Sequence, residues 1–326
     1  MNLLSDFSGL KAPTGVSDNV FNAKTIQDYS FAKIGINIFS FPVILIRSKN
    51  DGTFLNCKNI RLKYLELAHN VECKITEMSK NKLDFYSVVV FRSENQNLLS
   101  YFLGVSEILI RSLSKEPTQK EILNHFENFI EVFHSISDSP QKSLQGLWAE
   151  LFLIAISKSP ENLINYWHTN PQEKFDFNAA TEKLEVKSSS NLERIHTFSS
   201  EQLNPQNNSQ IIIASIFTKQ NPKGKNIEEL IEGIKKKLNS SETEERLYNI
   251  ISKTLGNSIE QSLKVKYDYE IAINSLRYYD VSNISKIEKI NIPYNVTEVR
   301  YKSNLSESDF IEHTRLKEYG QFYESI

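Results

Sequence analysis

The apolar run SQIIIASIFTK, residues 209–219, most tightly limits how this chain can fold. A short run rich in isoleucine, without polar alternation, is typical of a strand buried on both faces. Such a strand lies inside a sheet that is covered by helices, and the next segment has the apolar spacing of a packing helix. The apolar positions of that segment are Ile227, Leu230, Ile231, Ile234 and Leu238. The sequence therefore predicts an α/β fold with a central sheet flanked by helices.

The segment before this strand, KFDFNAATEKLEVKSSS at residues 174–190, predicts a hairpin. KFDF predicts a short strand, NAATE contains residues that favour turns, and KLEVKSS alternates as a strand does. The alternation places Glu185 and Lys187 on one face, and pairing of the two strands brings Asp176 opposite them. We therefore expect two carboxylates and an ammonium to converge at the end of the sheet and to face a wet cleft.

This set of charges indicates a particular chemistry. Two carboxylates a few ångströms apart repel each other, and a divalent cation of the magnesium type relieves that repulsion. Bound magnesium activates water and polarises a phosphoryl oxygen, while a neighbouring lysine stabilises developing charge, so phosphodiester hydrolysis fits. The backbone carbonyl of Val186, between Glu185 and Lys187, is a further candidate ligand. The alternative is a solvated hairpin face with cross-strand ion pairs.

Further candidate residues lie on either side of the hairpin. LQGLWAELFLIAIS, residues 144–157, predicts a helix with Glu150 toward the flank of its apolar stripe, where the pattern alone indicates an ordinary helix-flank carboxylate. Arg194 and His196 share strand parity and are candidates for contact with DNA or phosphate, although a lone histidine is more often structural. The apolar character of Trp167 favours a place in the core.

The chain divides by pattern into two unequal parts. Residues 1–93 contain β-rich runs such as KIGINIFSFPVILIRS and LDFYSVVVFRS, which predict an antiparallel sheet. Residues 94–326 begin with two amphipathic helices that we interpret as a connector, followed by the α/β core. The segment from YDYEIAINSLRYYDV, residues 267–281, onward is expected to add strands to that core.

Composition bears on the cellular compartment of the protein and on the kinds of ligand that it binds. No run approaches the about 18 apolar residues of a membrane span, and MNLLSDFSGLKAPTG lacks the pattern of a signal peptide. The two cysteines have no metal-site spacing. The formal net charge of −2 counts against a non-specific nucleic-acid coat protein but leaves room for a local basic groove. We expect a cytoplasmic protein.

Several of these motifs together resemble a known group of enzymes. Asp176 followed by Glu185-Val186-Lys187 is similar to the signature of the PD-(D/E)XK nuclease superfamily, which has the restriction-endonuclease-like fold. A wider set of segments carries a second, more specific resemblance: GLWAELFLI, Trp167, FDF, LEVKSS, RIHTFSSEQL and IPYNVTEVRYKSNLSE. It resembles a bacterial family of PD-(D/E)XK proteins that are often encoded in restriction-modification and defence clusters. The resemblance covers nearly the whole chain and implies a mixed central sheet.

The resemblance also implies roles for individual residues. Asp176 and Glu185 would bind Mg²⁺, for which Mn²⁺ could substitute, and Lys187 would serve the attacking water. Glu150 would be an additional acid of the site, and Gln202 would support the same centre. The implied function is a magnesium-dependent DNA endonuclease of a restriction or defence system. Its implied partners are DNA, a second copy of the chain, and a methyltransferase or helicase. The alternative is a non-catalytic DNA-binding or assembly subunit that keeps the fold.

Overall fold

The chain forms two compact units, Met1–Asp138 and Ser139–Ile326. The computed structural model describes residues 1–15, 19–49, 59–62, 64–78, 80–93, 96–135, 143–170, 173–205, 209–258, 262 and 264–326. None of the helices within these ranges is both long enough and apolar enough to cross a membrane.

The first unit is built on a six-stranded sheet, which agrees with the β-rich pattern of its sequence. The strands are β1 (Val20–Ile26), β2 (Tyr29–Asn37), β3 (Pro42–Ile46), β4 (Ile60–Arg61), β5 (Leu65–Glu77) and β6 (Lys80–Phe91). Their order is β1-β2-β3-β6-β5-β4, with antiparallel neighbours. A parallel pairing of β1 with β5 closes the sheet on itself. Alternate side chains of β5 and β6, including Cys73 and Val88, therefore enter one enclosed core.

The helices before and after this sheet belong to the same unit. They are α1 (Leu3–Ser8), α2 (Gln96–Ser112) and α3 (Gln119–Ser135). Phe102 of α2 stacks on Phe91 of β6 at 4.7 Å between ring centroids, and Phe133 of α3 contacts both rings. The sequence interpretation assigned α2 and α3 to residues 94–326 as a connector. Their apolar stripes instead bury aromatic rings against the first sheet, so the compact unit extends to Asp138.

The second unit is a mixed α/β structure. Its helices are α4 (Leu144–Ile156), α5 (Pro160–Tyr166), α6 (Ser200–Leu203), α7 (Ile227–Lys235), α8 (Ser241–Leu255) and α9 (Tyr269–Ser275). Its strands are β7 (Phe177–Ala179), β8 (Glu182–Ser189), β9 (Ile195–Ser199), β10 (Gln210–Phe217), β11 (Gln220–Lys225), β12 (Arg277–Asp280) and β13 (Arg300–Asn304). Short 3₁₀ turns occupy much of the chain after β12.

The central sheet of this unit has the order β12-β10-β8-β7 and is mixed, as predicted. β8 and β10 run parallel, whereas β7 and β12 are antiparallel to their neighbours. The interior of β10 is buried from Ile211 to Ile216, which confirms that SQIIIASIFTK contains a central strand. Helices α4 and α9 contact β8 and β10 respectively, and α7 packs against α4. A separate two-stranded sheet pairs β9 with β13.

Two local predictions differ from the structure. Lys174–Asp176 is a bend rather than part of a strand, and β7 begins only at Phe177. Residues 267–281 were expected to form strands, but Tyr269–Ser275 is helix α9. That helix begins at an N-cap, Asp268, whose side chain accepts a hydrogen bond from the backbone N–H of Ile271 at 3.0 Å. The Asp268 side chain thus satisfies a backbone donor of the first turn, which favours a helix at this position.

Candidate metal-dependent active site

The hairpin of β7 and β8 positions Asp176 beside the middle of β8. The register pairs Phe177 with Leu184, so Asp176 stands one residue beyond the last pair of the ladder. There its Oδ2 accepts a hydrogen bond from the backbone N–H of Val186 at 2.8 Å. Asp176 is only 5% exposed, so the expectation that it faces a wet cleft is wrong. A buried carboxylate held by a backbone N–H has a fixed orientation.

Glu185 and Lys187 lie on the same face of β8, as the alternation predicted. The Nζ of Lys187 is 2.7 Å from Oε1 of Glu185. Glu185 is 6% exposed, while the side chain of Lys187 is 18% exposed. The ammonium also lies 5.1 Å from the ring centroid of Phe198 on β9. The Lys187 ammonium therefore contacts both the Glu185 carboxylate and the face of the Phe198 ring.

Gln202 joins this pair from helix α6. Its Nε2 donates to Oε1 of Glu185 at 2.8 Å and to the backbone carbonyl of Lys174 at 3.0 Å. Its Oε1 accepts from the backbone N–H of Ser199 at 3.1 Å, which completes a capping box at the start of α6, and from Nζ of Lys187 at 3.4 Å. Donor and acceptor ends of the amide are thus both used, which fixes Gln202 against Glu185.

Glu150 approaches from the opposite direction, on helix α4. The sequence placed it toward the flank of the apolar stripe, but it is 2% exposed and fully enclosed. Its Oε2 accepts a hydrogen bond from Nε1 of Trp167 at 2.7 Å and lies 3.2 Å from Nε2 of His168. The burial of a carboxylate is unfavourable unless it is hydrogen-bonded or paired, and these neighbours meet that requirement.

Three side chains form a compact set of potential ligands. One ligand atom from each of Glu150, His168 and Asp176 lies within 4.8 Å of the other two, and all three residues are buried. The set is also tied through the backbone, because the N–H of His168 donates to the carbonyl of Asp176 at 2.9 Å. Two carboxylates and an imidazole are a donor set that suits a divalent cation. Glu185 lies outside this set, in the contacts with Lys187 and Gln202.

The structure places Arg194 and His196 in the interior near this region. They are 5% and 4% exposed. Nη1 of Arg194 donates to the carbonyl and the Oγ of Ser215, Nη2 donates to the carbonyl of Ser275, and Nε2 of His196 lies 2.8 Å from the same Ser215 Oγ. Burial lowers the pKa of His196 to about 4, helped by the charges of Lys187 and Arg194. Contact of either side chain with phosphate stays a prediction.

His168 is the site residue that sequence reasoning missed, and the hydrogen bond of Trp167 was missed with it. The signal available was the pair Trp167-His168, which stands between helix α5 and the hairpin. Trp167 does lie in the core, as its apolar character suggested, at 1% exposure. Its indole N–H nevertheless needs an acceptor, and the acceptor is Glu150.

The chain is similar in sequence to one described protein family. A family model described as "Putative PD-(D/E)XK family member, (DUF4420)" matches residues 7–306. The chain belongs to this family. The mixed α/β structure is consistent with a PD-(D/E)XK fold, and the family description supports a nuclease-like fold for the chain. No curated protein and no solved structure matches the chain in the corresponding searches.

Proposed function

We propose that this protein is a Mg²⁺-dependent DNA endonuclease of a bacterial restriction or defence system. The observation that carries the proposal is the meeting of Asp176 with the Glu185-to-Lys187 segment of β8. The Val186 N–H fixes the Asp176 carboxylate at 2.8 Å, and the Lys187 ammonium lies 2.7 Å from Glu185. An acid directly before β7, with a second acid and a lysine on the adjoining strand β8, are equipment for phosphodiester hydrolysis.

The acidic residues of this region would hold the metal ion. Asp176 and Glu150 contribute to the compact ligand set, while Glu185 and the backbone carbonyl of Val186 are the further ligands that the family resemblance and the sequence suggest. A bound divalent ion would supply Lewis-acid stabilisation of the phosphoryl group and would lower the pKa of a water molecule. Mn²⁺ would substitute for Mg²⁺ because both accept oxygen ligands.

Three further residues act on the acids or on the attacking water: Lys187, Gln202 and Trp167. Lys187 brings a positive charge to the partly exposed end of the cluster, where it can donate a hydrogen bond to the attacking water or to a phosphate oxygen. Gln202 holds Glu185 by its amide N–H, so the carboxylate keeps one orientation. Trp167 does the same for Glu150. Groups already oriented before substrate binds lose little entropy at the transition state.

The substrate and partners belong to the proposal as well. We propose DNA as the substrate, with a homodimer formed on DNA where both strands are cut, because one active site per chain cuts one strand at a time. A methyltransferase or helicase of the same defence cluster is the proposed protein partner, and the cytoplasm is the proposed compartment.

Conversion of supercoiled plasmid to nicked or linear DNA tests the proposal. The wild-type protein should cut plasmid in the presence of Mg²⁺ or Mn²⁺, and a chelator should stop the cutting. Glu185→Gln should abolish cutting, because an amide binds the metal ion less strongly than a carboxylate does and also weakens the contact with Lys187. Glu201→Gln is the matched control, since Glu201 is an exposed glutamate on α6 whose side chain is 62% accessible. Folded wild-type protein that retards plasmid without cutting it would support the non-catalytic DNA-binding role instead.

A further inference from the structure

We infer that His168 is a direct ligand of the metal centre and that its imidazole makes the centre bind Mn²⁺ more tightly than Mg²⁺. This inference rests on the metal site of the proposed function and not on DNA cleavage. The ligand set expected from the sequence consisted of oxygen atoms only. The described residues instead place an imidazole within 4.8 Å of the ligand atoms of both Glu150 and Asp176.

The spacing of the atoms agrees with shared coordination. Bonds of about 2.1 Å from one ion to a nitrogen and an oxygen, at a right angle, put those two atoms about 3 Å apart. Nε2 of His168 lies 3.2 Å from Oε2 of Glu150. The limit of 4.8 Å across the three residues also accommodates ligands on opposite sides of an ion. These separations are compatible with one cation shared by the three residues.

The imidazole is held in place before any ion binds. The backbone N–H of His168 donates to the carbonyl of Asp176 at 2.9 Å, so two of the three residues are joined by their main chains. His168 is 3% exposed, and its ring lies against Trp167, with 6.1 Å between centroids. Trp167 donates its indole N–H to Glu150 and orients that carboxylate without being a ligand itself. Ligands oriented by neighbouring hydrogen bonds bind metal more tightly.

The identity of the donor atom determines the metal preference. Mg²⁺ favours oxygen ligands and retains several waters, whereas imidazole nitrogen suits transition metals better. Replacing one oxygen donor by imidazole therefore raises the affinity for Mn²⁺ relative to Mg²⁺. The competing account is that His168 only donates a hydrogen bond to Glu150. In that account the metal contacts no nitrogen of the protein.

The variant His168→Gln separates the two accounts. A glutamine amide reaches a similar position and still has an N–H to donate to Glu150, but it offers no imidazole nitrogen to an ion. His196→Gln is the matched control, because His196 is also buried, at 4% exposure, and contacts Ser215 rather than the ligand set. Circular dichroism of each variant verifies folding before metal is added.

The measurement is pulsed electron paramagnetic resonance of Mn²⁺ added to the 326-residue chain without DNA. We expect modulation from a directly bound nitrogen in the wild type and in His196→Gln, and none in His168→Gln. Titration should show at least about a tenfold loss of Mn²⁺ affinity in His168→Gln, since even residues that only support a ligand cost 10–100-fold. The affinity for Mg²⁺ should fall by a smaller factor than the affinity for Mn²⁺, because Mg²⁺ depends less on a nitrogen donor.

Each contrary outcome overturns the inference. Wild-type protein that binds Mn²⁺ without nitrogen modulation, or that binds no Mn²⁺, excludes His168 as a ligand even where the variant fails to fold. Modulation that persists in His168→Gln assigns the nitrogen to another residue. Nitrogen modulation in a protein that leaves plasmid intact would support the inference and contradict the proposed endonuclease, so the two failures are distinguishable.

Discussion

The backbone N–H of Val186 donates a hydrogen bond to Oδ2 of Asp176, with 2.8 Å between nitrogen and oxygen. This bond connects the first acid of the candidate site to the strand that bears the second acid and the lysine. Because a backbone group makes the contact, the position of Asp176 depends on the hairpin register and not on the side chain of Val186. The register of β7 with β8 thus determines where the acid stands.

Replacement of Asp176 should affect stability and metal binding separately. Asp176→Ala leaves the buried N–H of Val186 without this acceptor, whereas Asp176→Asn retains one. A buried donor without an acceptor costs about 1–3 kcal/mol, so Asp176→Ala should unfold more easily than Asp176→Asn by about 2 kcal/mol. Both variants should lose cleavage and bind Mg²⁺ more weakly. Urea unfolding and metal calorimetry measure the two effects, and equal stabilities would show that the bond contributes little.

Trp167→Phe should weaken metal binding, although the Trp167 side chain is not itself a metal ligand. The change removes the N–H that holds Oε2 of Glu150 and keeps an aromatic ring in the core. Loss of a residue that supports a ligand costs about 10–100-fold in metal affinity. Trp148→Phe is the matched control, because Trp148 is also buried and donates its N–H to the carbonyl of Lys225 at 2.9 Å.

Both tryptophan variants should lose similar stability, about 1–3 kcal/mol, because each removes a buried hydrogen bond and part of an indole ring. Calorimetric titration with Mn²⁺ should distinguish them, with weakened binding only in Trp167→Phe. Equal metal affinities in the two variants would mean that the contact with Glu150 supports the core and not the metal centre.

Stability should depend on the ionisation of His196. Its pKa is lowered from 6.5 to about 4, first by burial and then by the charges of Lys187 and Arg194. The unfolded chain therefore binds a proton at a pH where the folded protein does not, and folding is favoured above pH 6.5. That contribution is lost as the pH falls from about 6.5 to about 4, and it amounts to about 3 kcal/mol at most.

His196→Gln removes this titration, so its stability should fall less between about pH 7 and pH 4.5 than that of the wild type. Urea unfolding at the two pH values measures the difference. His313→Gln is the control, since it makes the same substitution at an exposed histidine. Parallel pH profiles for wild type and His196→Gln would contradict the assignment of a buried neutral imidazole.

Local patterns in the sequence predicted the elements that carry the site. The apolar run of β10 and the alternation in β8 depend on neighbouring residues alone, so the central strand and the shared face of Glu185 and Lys187 followed from spacing. The turn between β7 and β8 was likewise recognisable from local residues, and it predicted that Asp176 lies beside β8. Family resemblance added Glu150 and Gln202, for which spacing gave no such evidence.

The remaining contacts depend on residues far apart in sequence. Glu150 is buried because the chain after α5 returns to it and brings Trp167 and His168, 17 and 18 residues later, against the carboxylate. A helical pattern assigns an acid to a surface by default, since it contains no information on which segment packs there. The inclusion of α2 in the first unit has a similar origin, because its partner Phe91 belongs to a distant strand.

Replacement of Lys187 tests whether the chain is a nuclease or a protein that only retains the fold. Lys187→Ala removes the ammonium beside Glu185 but leaves Asp176, Glu150 and His168 unchanged. Metal affinity should therefore stay within about twofold, while cleavage slows by at least about 100-fold, as when a group that stabilises transition-state charge is removed. Lys183→Ala, on the same strand, is the matched control and should cut as the wild type does.

The most direct measurement is the single-turnover rate of cleavage of a labelled DNA duplex at saturating Mg²⁺, for the wild type, Lys187→Ala and Lys183→Ala. The predicted result is metal-dependent cutting by the wild type and Lys183→Ala, with at least about a 100-fold slower rate for folded, metal-binding Lys187→Ala. Wild-type cleavage by Lys187→Ala, or an intact duplex with every protein, would contradict the account.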